Sequence, residues 1–287
     1  MAQKIVHTRR ALLGAAAALT AAALLPAQAY AAQDDETTIT VSNGRTVTYS
    51  IWRPATVRAA IVFSHGQGGK PQNYEALTSA YRDADILIAA PLHVDSQEHP
   101  RHAEFDRRAG FGARCEDMGA GFRLLTSLAP NAPLAVSGHS YGGLMSLITA
   151  GGLPPAVPAP LAPVKAAVAF SSAGRVPGLI NESSYSGLTT PTLMMTGDHD
   201  IVEEANLTDW HDHLYPYETS PAGNKMALVY LGGHHNLIGG QHAAGASGPD
   251  AMRNGADFIL AYAAEDADVA ARVAALQSND VRQVLRR

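Results

Sequence analysis

The segment GHSYG at 138–142 has the form GxSxG and centres on Ser140. An apolar run at 134–136 precedes it, and a helical pattern at 141–150 follows it. In a sharp turn from strand to helix a serine hydroxyl projects from the backbone, and glycines two residues before and after relieve the crowding. Because the string has this setting, we predict that Ser140 is a nucleophile and not part of a plain glycine-rich helix start.

A serine hydroxyl is a poor nucleophile near neutral pH and needs a base. The segment GGHH at 232–235 follows an apolar run at 226–231, so a histidine there can reach back over the end of a sheet. We expect His234, directly after the glycines, to be the base, with His235 as the alternative. A metal pair is less expected, because neighbouring side chains in an extended stretch point in opposite directions.

Other histidines fit the role of base less well. His242 is a weaker alternative to the pair at 234–235. His211 and His213 lie in a polar, acidic stretch, where we expect surface residues. The connection at 91–112 is rich in histidine and acidic residues, and we expect a solvated loop that forms one wall of the site rather than a metal site.

The base needs a carboxylate that orients it. Between positions 141 and 197 the only acid is Glu182, in a polar stretch. The next apolar run, at 192–195, leads into two acids, Asp198 and Asp200. We favour Asp200, since an apolar pair follows it and can anchor the loop, and keep Asp198 as the alternative.

A tetrahedral oxyanion needs preorganised donors. The backbone N–H of Tyr141, directly after the serine, is one candidate. The other is the N–H of Gln67, in the loop SHGQGG at 64–69, which follows a buried apolar run at 59–63. Glycines there allow the backbone to approach a substrate closely.

Together these segments resemble the α/β-hydrolase superfamily, in the order Ser140, Asp200, His234. The resemblance covers most of residues 38–262 and rests on HGQGG at 65–69, GHSYGG at 138–143, GDHD at 197–200 and GGHH at 232–235. It implies hydrolysis of a carboxylic ester through an acyl-enzyme, without metal or organic cofactor. The substrate is expected to be a small-molecule or polymeric ester.

Within the superfamily the chain looks closest to the branch of dienelactone-hydrolase-like and platelet-activating-factor-acetylhydrolase-like esterases. SHGQGG at 64–69, Asn-Tyr at 73–74 and Ala-Ala-Pro at 89–91 carry this likeness. Dienelactone hydrolases proper use a cysteine nucleophile, whereas Ser140 stands at that place here. Cys115 has no such turn around it and is expected to be a buried small residue.

Two other classes of function stay open. An amidase, a peptidase or an acyltransferase would use the same triad. A catalytically silent binding protein of this fold is disfavoured by the intact serine, acid, histidine and glycine-rich loop.

Strands that alternate with helices predict an α/β fold, with a mostly parallel central sheet covered by helices on both faces. An Asn-Gly turn at 43–44 predicts a hairpin that adds antiparallel strands at one edge. We expect residues 268–286 to continue as a helix or to fray. The predicted strands are 39–41, 46–52, 59–63, 86–90, 134–136, 166–170, 192–195 and 226–231, and the predicted helices are 72–82, 115–128, 141–150 and 250–262.

The amino-acid composition excludes several classes of protein. The 287 residues are 46% hydrophobic, which can supply a real core and argues against wholesale disorder. A single cysteine excludes an intramolecular disulfide and four-cysteine metal sites. The net charge of −5 argues against a nucleic-acid partner. The oligomeric state is not predicted by any of these features.

The N-terminal residues 1–31 contain three basic residues, no acid and an Ala/Leu run at 11–25. That run is too short and too rich in alanine for a membrane span of about 20 strongly apolar residues, so we expect no stable membrane anchor. The alanines at 27, 29 and 31 have the spacing that a signal peptidase reads, and we expect a cut after Ala29 or Ala31. We expect a cleaved export signal, and Arg9-Arg10 favours the twin-arginine type over an ordinary secretory signal.

Cleavage would remove three positive charges, so the net charge of −5 becomes −8. We expect the mature chain to be a single domain over 32–287 without a large lid. It would be periplasmic or secreted.

Overall fold

A nine-stranded sheet forms the centre of the protein, as seen in a computed structural model. The structure describes residues 34–105, 107–153, 157, 159–240 and 246–287. The predicted export signal at 1–31 and His242 lie outside them. The strands are β1 Asp35–Thr40, β2 Thr46–Trp52, β3 Ala59–Ser64, β4 Ile86–Pro91, β5 Leu134–His139, β6 Ala166–Phe170, β7 Thr192–Gly197, β8 Lys225–Tyr230 and β9 Arg282–Arg286.

The strand order is β1-β2-β4-β3-β5-β6-β7-β8-β9. Strands β3 to β8 run parallel, and β1, β2 and β9 are antiparallel additions at the two edges. Because parallel strands point the same way, the loops after β3, β5, β7 and β8 all emerge at the end of the sheet where the carboxyl termini of these strands lie. In open α/β sheets ligands bind at this end.

Helices cover both faces of the sheet. The helices are α1 Glu75–Asp83, α2 Arg107–Leu128, α3 Tyr141–Thr149, α4 Tyr215–Thr219, α5 Ser247–Tyr262 and α6 Ala267–Ala274. Helices α1, α5 and α6 lie on one face, and α2, α3 and α4 lie on the other.

A hydrophobic core lies on each face of the sheet, and successive side chains of the buried strands point alternately into one core and the other. In β3, Ile61 and Phe63 pack with the α1 and α5 face, whereas Ala60 and Val62 pack with the α2 and α3 face. This explains why the central strands read as continuous apolar runs.

The predicted α/β architecture and the edge hairpin are confirmed. The expectation for residues 268–286 is wrong in part, because the segment at 282–286 forms β9 and pairs with β8. Its hydrophobic signal is short and lies between two arginines, which hides an edge strand. Among the described residues, no helix is both long and apolar enough to cross a membrane.

Candidate active site

Ser140 occupies the turn between β5 and α3, with φ 55° and ψ −118°. Such a positive φ is strained for a residue with a side chain. The Ser140 N–H donates to the Phe170 carbonyl at 2.9 Å. A Cβ atom on Gly142 would overlap the Ser64 carbonyl, and one on Gly138 would overlap the Gly142 carbonyl. The two glycines of GxSxG are therefore required by close backbone contacts.

Asp200 follows β7, and its carboxylate is fully buried. Its Oδ1 lies 2.7 Å from Nδ1 of His235, and its Oδ2 accepts a hydrogen bond from the Thr196 hydroxyl at 2.8 Å. Burial by itself raises the pKa of Asp200, but hydrogen bonds from His213 and His235 outweigh burial and hold this pKa well below its usual range. The ionised carboxylate keeps a proton on Nδ1 of His235 and leaves Nε2 as the basic nitrogen.

Two glycines join the loop that carries the acid to the loop that carries the histidine. A Cβ atom on Gly197 would overlap the Gly233 carbonyl. The same carbonyl accepts a hydrogen bond from the His199 N–H at 2.9 Å. This close approach brings the ends of β7 and β8 together and sets the distance between Asp200 and His235.

The histidine that meets Asp200 is His235, and the preference for His234 is corrected accordingly. His234 is exposed, and its ring lies 5.4 Å from the ring of His199. His234 has no regular secondary structure, and His235 begins a turn. The path of the chain from the glycine pair at 232–233 decides which imidazole meets the acid, and the sequence does not reveal that path.

Asp198, the alternative acid, has a different partner. Its Oδ1 accepts a hydrogen bond from the Gly232 N–H at 2.6 Å. It therefore shapes the turn that leads into the histidine loop, whereas the carboxylate bonded to His235 is that of Asp200.

His213 is buried, so the expectation of a surface position is wrong for this residue. Its Nε2 lies 3.1 Å from both the backbone carbonyl and Oδ1 of Asp200, and its Nδ1 lies 2.6 Å from the Ser172 carbonyl. Both nitrogens thus face acceptors, which an imidazolium satisfies with two N–H groups. Burial lowers the pKa of His213, but the hydrogen bonds and the charge of Asp200 outweigh burial and raise it.

His211 keeps the expected surface position. It is exposed and stacks on Trp210, with ring centroids 3.7 Å apart. The acidic stretch of sequence around these histidines therefore contains one exposed and one buried imidazole, two residues apart.

His139, directly before the serine, links three loops. Its Nε2 lies 2.7 Å from the His235 carbonyl, and its Nδ1 lies 2.9 Å from the Tyr74 hydroxyl. That hydroxyl accepts a hydrogen bond from the Gly66 N–H at 3.0 Å. Burial and the neighbouring His235 lower the pKa of His139 to about 3. The neutral ring therefore donates to the His235 carbonyl and accepts from Tyr74, which fixes both loops against the serine turn.

Ser140, Gln67, Tyr141 and His235 line one cavity of about 1460 Å³. The loop after β3 approaches the serine closely, since a Cβ atom on Gly66 would lie 3.4 Å from the Ser140 Cβ. Both apolar and polar side chains line this cavity. The apolar ones include Phe111, Leu144, Val176, Pro177 and Leu179, and the polar ones include Asn73, Asp95, Gln97, Glu204 and Asn236.

The connection at 91–112 contributes Asp95, Gln97 and Phe111 to the cavity, as the expected wall. It is not solvated throughout, because His93 is fully buried. Cys115 is only partly buried, and burial together with the charges of Asp117 and Glu116 raises the pKa of its thiol to about 11. The thiol is therefore protonated and a weak nucleophile near neutral pH.

Among the described residues, Asp200, His213 and His235 bring their donor atoms within 4.8 Å of one another, a spacing that a metal ion could bridge. The hydrogen bonds explain this cluster differently. Both imidazoles approach the same carboxylate oxygen, and both nitrogens of His213 are used as donors. A metal ligand needs a free nitrogen lone pair, which a protonated imidazole lacks.

Two solved structures share the fold of this chain. No family model and no curated protein matches the sequence. The structure of an alpha-beta serine hydrolase homologue from Coxiella burnetii superposes with a TM-score of 0.55 at 17% identity, covering 73% of this chain and 92% of that one. The esterase domain of a Rhodothermus marinus protein superposes with a TM-score of 0.56 at 13% identity, covering 80% of this chain and 98% of that one. The chain therefore has the α/β-hydrolase fold.

Proposed function

We propose that this protein is a serine hydrolase that cleaves carboxylic esters through an acyl-enzyme on Ser140. One observation carries the proposal. Ser140, in a strained turn at the end of a parallel strand, opens into the same cavity as His235, whose Nδ1 is bonded to a buried carboxylate. This constellation supplies a nucleophile, a base and an orienting acid.

In the proposed reaction Nε2 of His235 takes the hydroxyl proton as Oγ of Ser140 attacks the ester carbonyl. The tetrahedral intermediate collapses, the carbon–oxygen bond to the alcohol breaks, and His235 returns the proton to the leaving oxygen. Water then gives a proton to His235 and attacks the acyl-enzyme. Collapse of the second intermediate releases the acid and restores the serine, as in other hydrolases with this triad.

The oxyanion in both intermediates needs donors next to Ser140. The N–H groups of Gln67 and Tyr141 are the proposed pair, since both residues line the cavity and flank the serine turn. Loss of one such donor typically costs about 10²–10³-fold in kcat.

The cavity favours a neutral ester with an apolar chain. Within the described part of the chain its lining contains no lysine or arginine, and Asp95 and Glu204 bring carboxylates to it. An anionic substrate, such as an ester that carries a free carboxylate, would lack a direct counter-charge there. The volume exceeds the roughly 300–1,000 Å³ of pockets for small ligands. An extended or polymeric ester fits this space better than an acetate.

The test is hydrolysis of p-nitrophenyl acetate, butyrate and octanoate by the protein lacking residues 1–31, beside Ser140→Ala. We expect hydrolysis by the wild type, loss in the variant, and kcat/KM that does not fall from acetate to octanoate. Equal rates for the two folded proteins would contradict the role of Ser140. Faster turnover with an added alcohol or with anilide substrates would replace the esterase by an acyltransferase or an amidase on the same triad.

We further propose that the protein is exported and loses residues 1–31 on the way. The basic start, the Ala/Leu run and the small residues at 27–31 support this. N-terminal sequencing of the protein recovered outside the cytoplasm tests it, and an intact first residue would contradict cleavage.

A further inference from the structure

Arg114, on α2, lies completely buried beside the loop at 64–69. Its Nε and Nη2 donate to the two carboxylate oxygens of Asp95, each at 2.8 Å. A buried arginine needs such a counter-charge, and the two parallel bonds fix the plane of the guanidinium. This pair occupies only two of the five N–H groups.

The remaining N–H groups of Arg114 point at the loop after β3. Nη1 lies 2.8 Å from the His65 carbonyl and 3.2 Å from the Ser64 hydroxyl, and Nη2 lies 3.4 Å from the Gly66 carbonyl. All five donors therefore have acceptors, and two of these acceptors are consecutive backbone carbonyls. A lysine could not satisfy this set with one ammonium group.

The Ser64 hydroxyl belongs to a second hydrogen-bonded set of Ser, His and Asp side chains, which is fully buried. Ser64 Oγ lies 2.9 Å from Nε2 of His93, and Nδ1 of His93 lies 2.7 Å from Asp117. Burial lowers the pKa of His93, so the ring is neutral, donates to Asp117 and accepts from Ser64. Because all three side chains are fully buried, no substrate reaches this set. Its hydrogen bonds fix the position of Ser64, the last residue of β3.

The contacts with Arg114 set the direction of the Gln67 N–H. The Gly66 carbonyl accepts from Nδ1 of His65 at 2.7 Å and from the Gly69 N–H at 3.1 Å, in addition to Arg114. In a planar trans peptide the N–H points opposite to the carbonyl. Donors that hold the Gly66 carbonyl on the Arg114 side therefore turn the Gln67 N–H to the opposite side.

Arg114 also contacts the other half of the proposed oxyanion hole. Its guanidinium carbon lies 4.3 Å from the centre of the Tyr141 ring, a cation–π contact. Tyr141 begins α3 directly after Ser140. One buried side chain thus touches the loop that carries the Gln67 N–H and the residue that carries the second N–H.

We propose that Arg114 is a positioning residue that holds both backbone donors of the oxyanion hole in register with Ser140. This inference rests on the proposed ester hydrolysis. Its contacts reach the donors and not the substrate, so it acts on the transition state. We therefore expect its loss to lower kcat and to change KM little.

The experiment compares two double variants. Arg114→Gln with Asp95→Asn removes the contacts of the Arg114 guanidinium without leaving a lone buried charge. Arg282→Gln with Asp250→Asn is the matched control, because Arg282 and Asp250 form another largely buried pair, with Nη1 and Oδ2 2.7 Å apart, outside the cavity lining. Each is assayed for kcat and KM with p-nitrophenyl butyrate and for inhibition by butaneboronic acid, whose tetrahedral adduct on Ser140 mimics the oxyanion.

We expect the Arg114 double variant to lose about 10²-fold in kcat, comparable to the loss of one oxyanion donor, with KM within about threefold of wild type. Boronic acid affinity should fall in parallel. The control should keep kcat within about threefold. Equal losses in both variants, or a loss confined to KM, would overturn the inference.

If the double variant does not fold, Arg114→Lys decides the question. This variant keeps a positive charge beside Asp95, but its ammonium group cannot contact two carbonyls and the Tyr141 ring together. We therefore expect kcat and boronic acid affinity to fall, but by less than in the double variant. Wild-type kcat in this variant would overturn the inference. A wild-type enzyme without esterase activity and without modification of Ser140 would overturn the proposed function, and the inference with it.

Discussion

Nδ1 of His235 lies 2.7 Å from Oδ1 of the buried Asp200. Its neighbour His234 is exposed and directed elsewhere. Two adjacent, identical side chains therefore have different environments, and each serves as the control for the other.

Replacing His235 by alanine should reduce kcat/KM for a p-nitrophenyl ester by about 10³-fold, since the serine loses its base. Replacing His234 by alanine should leave kcat/KM within about threefold of wild type. Steady-state kinetics on both variants at the same pH checks this. The opposite ranking would restore the assignment of the base to His234.

Replacing Asp200 by asparagine should lower kcat by about 10⁴-fold, because an amide at this position stabilises the wrong tautomer of His235. Asp198→Asn is the matched variant, and asparagine still accepts from the Gly232 N–H there. We expect its kcat to stay within about threefold. A comparable loss in both variants would mean that the loop after β7, and not the carboxylate of Asp200, matters.

His213 predicts a pH-dependent stability. Its pKa is raised by the hydrogen bonds and charge of Asp200, which outweigh burial. A raised pKa stabilises the fold fully below the unfolded value of about 6.5, and this contribution is lost as pH rises through the folded value. His213→Gln should therefore destabilise the protein by about 1–3 kcal/mol at pH 6 and by less at pH 9.

The control for this prediction is His211→Gln, since His211 is exposed. Urea unfolding of the wild type and both variants at the two pH values provides the measurement. The groups that face His213 are Asp200, the Ser172 carbonyl and the ring of His235, 5.9 Å away. A difference between wild type and His213→Gln that does not change with pH would argue that the ring is neutral.

Gly142 predicts a steric effect on stability. A Cβ there would overlap the Ser64 carbonyl, so Gly142→Ala should destabilise the fold by about 3 kcal/mol. Gly112, in α2, has open space around it, and Gly112→Ala should stabilise by roughly 0.5–1 kcal/mol. Thermal unfolding compares the two, and equal melting temperatures would refute the close approach of the serine turn to β3.

The sequence predicts the parts of this fold that depend on strong local patterns. The buried apolar runs predict the parallel strands, and the GxSxG segment predicts the turn at Ser140, because glycine spacing and periodicity are local signals. The edge strand β9 and the buried position of His213 depend on contacts with distant segments. In both cases the surrounding residues are polar, and tertiary pairing overrides that pattern.

The sequence contains a local signal for the buried position of Arg114. It lies four residues before Met118 and three after Phe111, on the apolar stripe of α2. A charged residue on such a stripe indicates a buried ion pair. The partner, Asp95, comes from a different loop, so its identity could not be predicted from helical spacing.

Covalent labelling tests most directly whether Ser140 is the activated nucleophile. The protein is treated with a fluorophosphonate, and intact mass and peptide mapping locate the adduct. We predict a single adduct on Ser140, formed at a near-wild-type rate in His234→Ala and far more slowly in His235→Ala. An unlabelled wild-type protein, or an adduct on another residue such as Ser64, would contradict the role of Ser140 as nucleophile.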